Sequence, residues 1–123
     1  MTSQKWRAMS VAEKNAFIAV ATGMWIRGKD VDGADVVRPL GATAKKWPHG
    51  VTPANYYADL NACAEMVATL YELPRRDYVR ELCGMLETEY CHCAVCLFKL
   101  TEATAPQRCE AFALAVEPET GEI

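Results

Sequence analysis

The absences in this chain narrow its chemistry first. It contains no Walker loop, no dinucleotide-binding glycine fingerprint, no zincin helix and no G-x-S-x-G elbow. The usual sequence routes to phosphoryl transfer, hydride transfer, metalloproteolysis and ester hydrolysis therefore have no support, and the chain is not read as an enzyme. Histidine is scarce, with only His49 and His92. A Cys-His nucleophilic pair needs an accessible low-pKa thiolate with an imidazole in reach. His92 and its neighbour Cys91 would point to opposite faces of a strand, and His49 is far along the chain, so no catalytic residue is expected.

Long apolar runs are missing as well. The longest, Ala16 to Ile26, is eleven residues; it is too short to span a bilayer and lacks the basic flank and cleavage site of a signal peptide. The chain is expected in the cytoplasm with no membrane partner. Six cysteines without a secretory signal should stay reduced, and most stand where the apolar pattern places the core. Cys91-His92-Cys93 with Cys96 invites a zinc reading. Alternate residues on a strand lie roughly 6.5 Å apart, however, and thiolate sites normally present their ligands from a turn. Cys63, Cys83 and Cys109 are scattered over other segments, so neither a metal nor a cofactor is expected.

What is present is a core and a charge asymmetry. The chain has 123 residues, 51% of them hydrophobic, enough for one α+β domain over 1–117 with a long loop at 27–51 and a flexible tail at 118–123. The net charge of −3 divides unevenly: residues 1–50 hold 8 Lys/Arg against 4 Asp/Glu, and residues 51–123 hold 5 against 12. An acidic second part argues against long nucleic acid as a partner.

Periodicity and capping outline the elements. Ser10-Val-Ala-Glu13 is a capping box that opens a helix through Val11, Phe17, Ile18, Ala21 and Trp25, with a break near Gly23. Glycines and prolines from Arg27 to Gly50 predict the loop, or a weak hairpin around Ala34 to Val37. Thr52-Pro53 predicts a helix start, and Leu73-Pro74 its stop. Paired apolar residues from Arg75 to Leu86 predict a third helix. Cys91 to Phe98 is apolar on both alternating faces and reads as a covered strand running from about Glu89 to Lys99. Thr104-Ala-Pro-Gln107 is a second capping box, and a helix follows it from Ala105 to about Glu117. The sum is a small α-β-α layered domain with about four helices around a short sheet. A lone strand needs a partner, either the Val36-Val37 segment or its copy in a second subunit, which predicts a homodimer or higher homo-oligomer.

Tyr57-Ala-Asp59-Leu60-Asn61-Ala62 and Ala103-Thr104-Ala105-Pro106-Gln107-Arg108-Cys109-Glu110-Ala111-Phe112 resemble the paired "DLNA" and "ATAxQRAEAF" stretches of small phage and prophage proteins called phage ABA sandwich domains. Cys109 stands where Ala is more usual in them. The resemblance implies a phage origin and an α-β-α fold, and it implies no chemistry.

The candidate site lies in the basic, Trp-containing part. Trp25, Arg27, Arg38, Lys45, Lys46, Trp47 and His49 together suit an anionic ligand with an aromatic ring, such as a nucleotide. The competing reading makes Trp25 and Trp47 core anchors and the charges a solvated face. Arg108, one turn into the helix that Thr104 opens, is a further candidate for a phosphate, or else pairs with Asp59. Two functional readings follow. One is a non-catalytic phage accessory protein that sequesters a small anionic ligand, such as a nucleotide immune signal of the host. The other is a protein-interaction module that inhibits a host factor or assists phage assembly.

Overall fold

A computed structural model of the protein describes residues 1–88 and 94–117, and residues 94–97 by backbone alone. Among the described residues it is a small α+β structure of six helices and one two-stranded antiparallel sheet. No described helix is long and apolar enough to cross a membrane. The expected tail at 118–123 lies outside the described residues.

The chain begins with a helix that the periodicity did not suggest, α1 (Ser3–Arg7), whose Thr2 hydroxyl accepts from Lys5 N. It exists to bury Trp6, which packs edge-on to Phe17 with ring centroids 6.0 Å apart. Helix α2 (Val11–Ala21) starts where expected, with the Ser10 hydroxyl accepting from Glu13 N at 3.1 Å. It ends at the break expected near Gly23. The Thr22 N–H and hydroxyl bond back to the carbonyls of Ile18 and Ala19, so Trp25 opens a strand instead of closing the helix.

That strand, β1 (Trp25–Lys29), pairs with β2 (Asp35–Pro39) in the register Trp25↔Pro39 through Lys29↔Asp35. The Asp30 carboxylate closes the turn by accepting from Asp32 N and Ala34 N, at 2.8 and 2.9 Å. The hairpin around Ala34 to Val37 is therefore present, inside the segment expected to be mostly loop. Val36 and Val37 pair with β1, not with a strand at Glu89 to Lys99.

Two helix boundaries also shift. The helix expected from Thr52-Pro53 begins instead as α3 (Leu60–Ala68), with the Asp59 carboxylate accepting from Asn61 N. Residues 52–58 are held elsewhere: Asn15, from α2, receives Tyr57 N on its carbonyl and donates its amide to Asn55. Pro74, expected to stop that helix, lies in the first turn of α4 (Glu72–Met85), where a missing N–H leaves no bond unmade. The expected strand is overturned where it is described, because Ala94–Thr101 is helix α5. A short run apolar at every position has no period to tell strand from helix. Residues 89–93 of that expectation lie outside the described residues. With no such strand over 94–99 and Val36-Val37 already paired, the strand-based argument for a homodimer falls.

Helix α6 (Ala105–Val116) is the axis of the core. Both halves of its capping box form, Gln107 N to the Thr104 hydroxyl (3.3 Å) and Thr104 N to the Gln107 side-chain carbonyl (2.9 Å). Cys109, Ala111, Phe112 and Ala113 are fully buried along it. Its small residues let Ile18 of α2, Met66 of α3, and Tyr78 and Leu82 of α4 gather into one apolar cluster around Phe112.

Candidate functional site

The expected site residues are dispersed by the fold. Arg38 is 4% exposed and spends its donors on backbone. Its Nε donates to the Trp47 carbonyl (2.7 Å), and its Nη2 to the carbonyls of Lys29 (2.9 Å) and Pro48 (3.3 Å). It crosses β1 at Gly28, which has no side chain to block it, and clamps the segment after Leu40 onto the hairpin. Gly50, with φ of 73°, brings that segment back against β2. A Cβ there would stand 2.6 Å from Val36 Cβ, so only glycine fits.

The clamp leaves Trp47 43% exposed, with Lys46 Nζ 6.0 Å from its ring centroid. Lys45 is exposed beside them. Trp25 is half-buried against the core, on the strand face opposite Arg38. Arg108 is also committed, donating to the carbonyls of Ala103 (2.9 Å) and Thr101 (3.1 Å) at the end of α5. The expected Asp59 to Arg108 ion pair is not formed, since Asp59 caps α3.

Of the candidates, Arg27 and His49 meet at one concavity among the described residues. It is an open groove of about 760 Å³ between the first half of α2 and the hairpin with the segment that follows it. Its walls are aliphatic, with Val11 and Ala16 on one side and Val36, Val37, Val51 and Pro53 on the other. Polar groups enter from Glu13, Asn15, Asp35 and Asn55. Lys29 draws the Asp35 carboxyl below its ordinary pKa by a hydrogen bond and by its charge, and Arg27 adds to this from nearby. Arg27 also lines a smaller cavity, of about 280 Å³, with Phe17, Val20, Ala21, Val116 and Glu117.

Sequence reasoning passed over the groove's polar lining. One signal was readable: Val11, Asn15 and Ile18 share one face of α2, and an amide on an otherwise apolar face points to a buried partner. Lys14 was also missed. It is buried with its ammonium over the rings of Tyr57 (4.7 Å) and Trp6 (5.6 Å), and the chain spacing of those residues does not foretell such a cage.

Among the described residues no group of three or more His, Cys, Asp and Glu stands close enough to hold a metal ion; Cys91, His92 and Cys93 lie outside them. Cys63, Cys83 and Cys109 are reduced and buried. The Cys63 thiol donates to the Tyr56 carbonyl at 3.1 Å. Its hydrogen bond with Cys109, together with burial, pushes the Cys109 thiol well up, the reverse of an activated nucleophile.

The chain matches no family model, no curated protein and no solved structure.

Proposed function

We propose that the protein works by binding and not by catalysis, and that its ligand is a small molecule with an apolar body and an acidic group, held in the groove between α2 and the hairpin. The groove's composition carries this reading. Its volume of about 760 Å³ falls in the size range of small-molecule sites, its walls are aliphatic, and Arg27 and His49 converge on it. Glu13 and Asp35 share the lining and favour one acidic group over a run of phosphates. No Trp, Tyr or Phe lines the groove, so neither Trp25 nor Trp47 supplies the stacking that would favour a nucleotide. The wider setting suggested by the phage resemblance belongs to the same proposal: an accessory protein that removes a small signal molecule in the cytoplasm of an infected bacterium.

The test is a thermal-shift screen of the purified protein against short fatty and aromatic carboxylates, monophosphates, and linear and cyclic nucleotides, with calorimetry on any hit. A ligand that binds the folded form raises the melting temperature by mass action. The expected hit is an amphiphilic monoanion whose effect is lost on Val51→Asp, with nucleotides giving smaller shifts. If no compound shifts the protein at millimolar concentration, the groove is not a ligand site and the reading fails.

A second reading, as a protein-interaction module, is favoured by Met24, Ile26 and Leu40. These are exposed together on the strand face that bears Arg38.

A further inference from the structure

The geometry points to the outer edge of β1 as a docking site for an extended acidic segment of another protein, which would add a strand to the hairpin. This inference uses the edge of β1, which shares Arg27 with the groove, and does not rest on the groove's being occupied.

Asp30 N donates to the Ala34 carbonyl and Leu40 N to the Met24 carbonyl, so the even-numbered residues of β1 exchange hydrogen bonds with β2. The N–H and C=O of Trp25 and Arg27, and the N–H of Lys29, therefore point away from the sheet, and no described group bonds to them. The Lys29 carbonyl is the exception, taken by Arg38. The two edges are not alike. On β2, the Val37 carbonyl already accepts from Val51 N at 2.9 Å, and Pro39 has no N–H to offer. Among the described residues, Asp35 keeps its outward backbone groups and Val37 its N–H unbonded, so the β2 edge is interrupted but not closed, and the edge of β1 is the longer open one.

Side chains on β1 say what would fit there. Met24, just before the strand, and Ile26 are 65% and 42% exposed on one face; Arg27 and Lys29 lie on the other, Lys29 paired across the ladder with Asp35 and Arg27 without a salt bridge. A second copy of β1 would set these cations against their own kind, which destabilises a cross-strand pair. The same cations that keep copies apart select an incoming strand with acidic residues on one face and apolar residues on the other. Main-chain bonds to Trp25 and Arg27 would supply affinity, and the alternation would set the register.

The experiment uses a blocked Glu-Val-Glu-Val-Glu-Val peptide and its Lys-Val counterpart with the isotope-labelled protein, following amide exchange residue by residue. The acidic peptide is expected to slow exchange of the Trp25, Arg27 and Lys29 amides by about tenfold or more while the Lys peptide does not. Reversing charge with Arg27→Glu and Lys29→Glu together should exchange the two preferences, a result that a variant merely unfolded by the change would not give. Ile26→Lys should weaken binding from the other face without touching either cation. Equal effects of both peptides, changes at Asn15 and Val51 in place of Trp25 and Arg27, or edge amides already protected in a concentration-dependent way in the free protein would each overturn the inference. The last result would assign the edge to a second copy.

Discussion

Arg38 and Gly28 form a single contact across the sheet: a Cβ at position 28 would stand 2.5 Å from Arg38 Nη1. The guanidinium reaches the carbonyls of Lys29, Trp47 and Pro48 only because nothing occupies that space. Gly28→Val is expected to displace Arg38, and Arg38→Met to leave those carbonyls without their donor. Each should lower stability by about 1–3 kcal/mol, the usual cost of stripping charged hydrogen bonds from partly buried groups. Trypsin cleavage after Lys45 or Lys46 should then become faster than in the parent protein. Unchanged cleavage would mean that the clamp does not hold this segment.

Phe112 sits at the centre of the core on α6 with no exposed surface. Phe112→Ala should cost about 3–5 kcal/mol, whereas Thr104→Ala, which removes half of the capping box of the same helix, should cost about 1 kcal/mol. Urea unfolding of the two variants reads the difference. A larger loss at Thr104 than at Phe112 would contradict the placement of α6.

Burial pushes the Tyr78 phenol from its ordinary 10.0 up to about 12. The folded state thus holds the proton more tightly than the unfolded state. The stability tied to this group is fully present below about pH 10 and is lost as pH rises through about 12. Melting curves at rising pH should show this alkaline slope reduced in Tyr78→Phe. Tyr56, also raised chiefly by burial, leaves a residual slope. An identical slope in parent and variant would place Tyr78 in water.

Cys63, Cys83 and Cys109 should resist alkylation in the native protein and react only at the rate of unfolding. Mass mapping after brief iodoacetamide treatment checks each site. Rapid labelling of Cys109 would show that its thiol is neither buried nor raised.

Local chemistry explains which parts of the fold were legible. The caps at Ser10 and Thr104 were readable because a hydroxyl and a backbone N–H three residues on meet within one turn. The start of α3 was not, because Asn15 draws Asn55 and Tyr57 away from the helix across a chain separation that no local pattern records. The strand expected through Ala94 to Lys99 failed for lack of a period. At the site, basic character near glycines singled out Arg27 and His49, which line the groove. Arg38 carried the same composition, and only the empty space at Gly28 separates a structural clamp from a ligand contact.

The unequal margins of the hairpin set its valency. With Val51 and Pro39 interrupting one side and Trp25 to Lys29 open on the other, a strand that joins finds among the described residues only a broken second margin, at Asp35 and the Val37 N–H, through which to pass the ladder on. Association by this route therefore favours a pair of one host and one guest, a restraint on ladder growth that a hairpin with two unbroken margins would lack.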